Sequence, residues 1–193
     1  STEKESVEDI LSQVKRAIRI INNMKSFAHQ GHISTDEIIL AGPVRDAVDF
    51  FSAQFRVQQI EMLLEIDDDI PLLMMDYQKF EQVVVNLVVN ARYAVQEMGK
   101  IRGEDFKKKI AIRLINGCPE KEVLFEITDN GIGMSAEVRE RCVDPFYTTK
   151  KVGEGTGLGL SIVDSILKDF EITMEIQSEE LKGCAIRLRI PCP

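Results

Sequence analysis

What this chain lacks narrows its class before any motif is read. No apolar run approaches the roughly 20 residues needed to cross a bilayer, and no secretory signal opens the sequence, so it reads as cytoplasmic, with no membrane contact from this segment. Positive charge is in deficit: 24 lysines and arginines face 32 aspartates and glutamates, for a net charge of −8. That excludes a general nucleic-acid binder, whose affinity comes from neutralising phosphates. It leaves room for one small anionic ligand held by backbone N–H groups and a lysine or two. The four cysteines (Cys118, Cys142, Cys184, Cys192) never fall at Cys-x-x-Cys spacing, which argues against a zinc ribbon or redox motif and for reduced thiols. Two histidines, His29 and His32, lack a third ligand and read as exposed residues at a helix end. Asp67-Asp68-Asp69 lacks the glycine and later glutamate of a calcium loop and reads as a solvated turn. There is no internal repeat or low-complexity tract.

What is present, 44% hydrophobic and 29% charged residues over 193 positions, fits one soluble domain plus an appendage. The chain begins at Ser1 rather than at a methionine, which points to a piece of a longer protein. Val7, Val14, Ile21 and Ala28 recur every seven residues, joined by Ile10, Ala17, Met24, Leu11 and Ile18. This broad heptad stripe predicts a long helix ending near Gln30-Gly31-His32 that needs partner helices. Pro43 then opens a second helix, residues 57–66 read as a strand, and Asp76 caps a third helix running to about Met98. Strands follow at 110–115 and 123–128, a short helical piece near 136–142, a helix over 157–170, and closing strands at 172–177 and 185–190 about a Gly183 turn. The pattern predicts an α/β fold: a two-layer α/β sandwich, its mixed, mostly antiparallel sheet carrying helices on one face.

Polar residues interrupt this pattern in two places. The stretch FEQVVVNLVVNARYAV, residues 80–95, is apolar nearly all round, so the helix is buried, yet Asn86 and Asn90 share one of its faces. Either they line a polar cavity or they bond neighbouring backbone, because a buried amide without a partner costs about 1–3 kcal/mol. Further on, GEGTGLGLSI (153–162) runs glycines into a helix start, where backbone can approach a ligand and free N–H groups suit phosphate. No Gly-Lys-Ser/Thr follows, so it is not a Walker A loop.

Four stretches in order, the asparagine pair, DNGIG at 129–133, DPFYTTK at 144–150 and GTGLGLSI at 155–162, resemble the N box, first glycine box, F box and second glycine box of sensor histidine kinases. That is the catalytic ATP-binding domain of two-component systems, whose fold is shared with Hsp90, gyrase B and MutL. The likeness spans roughly residues 40–191 and implies a catalytic ATP-binding domain over 33–193, preceded by part of the dimerisation and phosphoacceptor domain over 1–32. It implies that Asp129 accepts a hydrogen bond from the adenine amino group, where guanine would present a repelling oxygen. Gly131 and Gly133 let the backbone bend under the base. Asn90 is the implied Mg²⁺ ligand, with Asn86 in the same pocket. Phe146, Tyr147, Thr148, Thr149 and Lys150 correspond to a lid over the nucleotide, Lys150 reaching phosphate and Lys151 able to share that role. Gly155, Gly157 and Gly159 close its far end. Leu158 belongs to the same box, although its side chain, like that of Leu160, reads as packing.

Asparagine at 86 replaces the water-activating glutamate of the family's hydrolases and cannot take a proton. The resemblance therefore implies transfer of the γ-phosphate of Mg-ATP to a histidine, with Asn86, Asn90 and Lys150 in the catalytic constellation and relay to a response regulator receiver domain. The full-length protein is expected to be a homodimer. The acceptor is not found in this chain, since neither His29 nor His32 is followed by an acid and both fall at the wrong end of their helix. Glu171-Ile172 departs from the glycines usual after the last helix. The competing readings are an ATP hydrolase of the same fold, a serine kinase of the mitochondrial dehydrogenase-kinase type, and a non-catalytic nucleotide-sensing module.

Overall fold

The structure, a computed structural model, describes residues 35–117, 122–151 and 155–192. The heptad helix expected over 1–32, both histidines and Cys118 lie outside the described residues. In chain order the elements are β1 (Asp36–Ile39), α1 (Ala41–Val57), β2 (Ile60–Ile66), β3 (Leu72–Met75), α2 (Tyr77–Arg102), β4 (Lys108–Asn116), β5 (Glu122–Asp129), α3 (Ala136–Arg141), α4 (Gly159–Asp169), β6 (Thr173–Glu179) and β7 (Gly183–Pro191).

Five strands form one sheet in the order β2-β4-β5-β7-β6, with β2 parallel to β4 and every other pair antiparallel. Alternation decides its two faces. Ile110, Ile112 and Leu114 of β4, Val123, Phe125 and Ile127 of β5, and Ile186, Leu188 and Ile190 of β7 all point inward and are buried. Helices α1, α2 and α4 cover that face, and the Phe80 ring of α2 meets Phe125 edge-on at 5.9 Å. The sandwich read from the sequence is the observed fold, with helices on one face.

The residues between carry charge. Glu65, Arg113, Glu126, Arg187 and Glu175 stand in register across all five strands, alternating in sign. Arg113 pairs with Glu65 at 2.8 Å and Arg187 with Glu126, while Arg189 bridges Glu175 at 3.1 Å and Glu122 at 3.5 Å.

Boundaries differ from expectation most at α2, which runs on to Arg102 beyond the expected Met98, and at α1 and β2. Helix α1 begins two residues before Pro43, which still occupies the first turn where its missing N–H costs nothing, and it runs on through Val57. The strand read from residue 57 therefore starts only at Ile60, after Gln59 turns the chain at a φ of +54°. The four-residue strands β1 and β3 were not expected. They pair antiparallel, Ile39 opposite Leu72, in a separate ribbon.

Candidate nucleotide site

Helix α2 positions the first wall of a cavity of about 400 Å³. Its start is fixed by Asp76, whose side chain accepts the Lys79 N–H at 3.0 Å. From there Phe80, Val83, Val84, Leu87, Val88 and Val95 are buried in the core, while Asn86, Asn90 and Tyr93 turn to the cavity together with the half-buried Val85 and Val89. The asparagines thus line a polar cavity. Asn86 Nδ2 is buried with no hydrogen-bond partner. An orphan donor of this kind costs about 1–3 kcal/mol unless a ligand satisfies it.

The second wall is the end of β5. Asp129 faces the cavity, and the β5–β7 register sets Cys184 opposite it. One carboxylate oxygen accepts the Gly131 N–H at 2.8 Å. Burial pushes the Asp129 carboxyl up to about 7, opposed only in part by that N–H. Burial, then the nearby Asp129 charge, pushes the Cys184 thiol up to about 12. Asn130 points elsewhere: its side chain accepts the Lys109 N–H at 2.8 Å and donates to the Lys107 carbonyl at 2.7 Å, pinning the exit of β5 to the start of β4. The glycine at 131 is required by closeness, because a Cβ there would lie 2.4 Å from the Ala94 carbonyl carbon of α2. The turn is thus pressed against the helix, and Ile132 donates its N–H to the Ala94 oxygen at 3.1 Å.

The third wall is the irregular segment before α4. Its two sides are clasped where Phe146 donates its N–H to the Gly157 carbonyl at 2.8 Å. Gly157 has a φ of +67°, and a Cβ on it would meet the Phe146 carbonyl carbon at 2.4 Å, so only glycine closes the clasp. Lys150 reaches inward. Its Nζ donates to Asn90 Oδ1 at 2.8 Å and lies 4.6 Å from the centre of the Tyr93 ring. Burial, then the Arg92 charge, lowers its ammonium to about 8. Helix α4 begins at Gly159 with no side chain capping it, and a Cβ there would lie 3.7 Å from Asn90 Nδ2 and 3.8 Å from Asn86 Oδ1. An uncapped helix start thus faces both asparagines.

The cavity gathers every site residue expected from the sequence except four, one of them the exposed Lys151. Gly131 supports the wall from behind. Phe146 exposes 74% of its surface. The Leu158 side chain is buried in the core. Sequence reasoning missed Tyr93, Cys142, Thr156 and Cys184, which also line the cavity. Tyr93 was findable, since it lies seven residues after Asn86 and three after Asn90 on the same helical face. Cys184 was not, because only the β5–β7 register sets it beside Asp129.

The family of histidine kinase-, DNA gyrase B-, and HSP90-like ATPases matches residues 75–193, more than half the chain and every wall of this cavity. The chain belongs to that family. Among curated relatives of this ATPase-family domain, the sensor kinase CckA of Brucella abortus (strain 2308) is 33% identical over 189 residues, covering 96% of this chain and 20% of CckA. Sporulation kinase E of Bacillus subtilis (strain 168) is 30% identical over 182 residues, covering 94% of this chain and 23% of the kinase. The chain therefore spans only about a fifth to a quarter of these relatives. Among solved structures, the nucleotide-free catalytic domain of histidine kinase ThkA superposes with a TM-score of 0.68 at 28% identity, covering 82% of this chain and 96% of that domain.

Proposed function

We propose that this chain is the catalytic ATP-binding part of a sensor histidine kinase, passing the γ-phosphate of ATP to a histidine for relay to the aspartate of a response regulator. The observation that carries the reading is the polarity of the cavity. A half-buried carboxylate, Asp129, stands at one wall, and an uncapped helix start, two asparagines and a lysine converge at another. A purine amino group matches the first, and a polyphosphate the second.

The residues fit a divalent cation. Among the described residues no cluster of three His, Cys, Asp or Glu could cage one, so an ion here depends on oxygens supplied by the nucleotide. Asn90 Oδ1 is a hard oxygen donor that already accepts from a cationic group, the Lys150 ammonium. Bound there, Mg²⁺ would neutralise phosphate charge as it shifts. Asn86 offers its orphan Nδ2–H to a phosphate oxygen, and its inability to act as a base favours a protein nucleophile over water. The acceptor histidine belongs to another part of the full protein, which works as a cytoplasmic homodimer. Among the described residues no helix is long and apolar enough to cross a membrane.

The test is calorimetric titration with Mg-ATP, followed by phosphate transfer in a longer chain that restores the preceding helices. Saturable binding and a histidine-linked phosphate are expected. Binding with steady phosphate release to water would replace the kinase reading with a hydrolase. Binding with neither product would leave a nucleotide sensor, and no binding would reduce the assignment to fold.

A further inference from the structure

The Lys150 ammonium is held from two sides by one face of α2. Asn90 Oδ1 accepts from it at 2.8 Å, and the Tyr93 ring, one turn further on, lies 4.6 Å away. An ammonium drawn out of water needs such partners. Among the described residues the charge that acts on Lys150 is the like charge of Arg92, not a carboxylate. The backbone around it is tied as well: Lys150 donates its N–H to Thr148 Oγ1 at 3.1 Å, and Phe146 donates its own to Gly157 at 2.8 Å.

We propose that Asn90 and Tyr93 form a seat for the Lys150 ammonium, that Tyr93 is the residue positioning this lysine, and that a divalent cation arriving at Asn90 must unseat it. Asn90 presents a single amide oxygen to this side of the cavity, and two cations sharing it repel strongly in a site screened from water. Lys150 on Asn90 is thus a built-in counterpart of the metal. Once displaced from both partners, it is free to reach phosphate oxygens. The seat stands on geometry alone, whereas the exclusion of metal rests on the nucleotide reading above.

Hydrogen–deuterium exchange at the Phe146 and Lys150 amides, in the chain free of nucleotide and metal, tests the seat. Tyr93→Leu removes the ring face and is expected to speed exchange about five- to thirty-fold, the span of a partly desolvated cation–π contact. Tyr93→Phe keeps the ring and should retain protection. Lys150→Met should loosen the same amides, with Tyr93→Leu adding nothing in that background. Unchanged exchange in a folded Tyr93→Leu, or equal loss in the Leu and Phe variants, would overturn the proposal; if Tyr93→Leu does not fold, unchanged exchange in Lys150→Met does so. For the second half, ATP is titrated with and without Mg²⁺. The gain in affinity on adding Mg²⁺ should be larger in Tyr93→Leu than in the wild type, and an equal gain sinks the exclusion. Absence of ATP binding in the wild type would overturn the nucleotide reading, and the exclusion with it, while the exchange result on the seat stands.

Discussion

The two faces of the central sheet treat polar groups in opposite ways. On the open face each strand contributes one member of an alternating row, Glu65, Arg113, Glu126, Arg187 and Glu175, so opposite charges are always neighbours. Even Glu126, buried at 9% exposure, has Arg187 against it. On the helix-covered side, among the described residues, Asn86 Nδ2 has no partner, Asp129 has one backbone N–H and no cation, and Lys150 has an amide and a ring but no carboxylate. Groups of matching chemistry exist on both faces, yet only one face leaves them short. Polar groups whose needs are met inside the protein hold a fold together. Those left wanting wait for a ligand, and the stability they forgo marks the site.

The largest test of this contrast is Asp129→Asn, which keeps shape and removes the unpaired charge. ATP affinity should fall by about 1–3 kcal/mol, from roughly fivefold to somewhat over a hundredfold, as a charge-assisted hydrogen bond is lost. Stability should move the other way. The folded carboxyl titrates near 7 against an ordinary 3.8, so the native state holds a proton that the unfolded chain has released. Stability from this group is therefore lost as the pH rises from about 4 to about 7, and the penalty is complete above that. The asparagine variant lacks this slope and should be the more stable protein at pH 8, by on the order of 2–4 kcal/mol. Thermal melts at pH 5 and pH 8 check it. Equal pH slopes in both proteins would show that Asp129 is not the strained group.

How much of this was legible depended on range along the chain. The Asp76 cap, the asparagine pair of α2 and the closing strands are written in local periodicity, and the glycine motifs in consecutive residues. The end of α1 was not, because the chain turns at Gln59 with neither glycine nor proline to announce it. Strands β1 and β3 were missed because LLMM has no readable period and their pairing spans more than thirty residues. Each member of the Lys150 seat is visible in the sequence, but its closure joins positions 60 residues apart. The same holds for the ion-pair row, whose residues are plain and whose register is a property of the folded sheet.

A smaller effect is expected at Asn90. Asn90→Ala should leave metal-free ATP binding nearly intact and cut the gain from Mg²⁺ by about tenfold, the scale of one lost polar ligand contact. Paired titrations with and without Mg²⁺ measure it. A full Mg²⁺ response in the variant would remove Asn90 from the metal's partners and leave it only as the lysine's seat.

The smallest effect belongs to the open face. Glu65 and Arg113 are half-exposed or more, with side chains 65% and 50% accessible, so their pairing is screened by water. Glu65→Gln should change stability by less than about 0.5 kcal/mol, and exchanging the two residues should restore most of that. ATP affinity should not move at all, because the charge lost has a neighbour to compensate and the sheet lies between it and the cavity. The measurement has weight because of its expected flatness. If neutralising one exposed glutamate altered nucleotide binding, the row would be acting through the sheet on Asp129, which sits three residues beyond Glu126 on the same strand. The two faces would then be one electrostatic system, and met and unmet polar groups could no longer be told apart by the face they occupy.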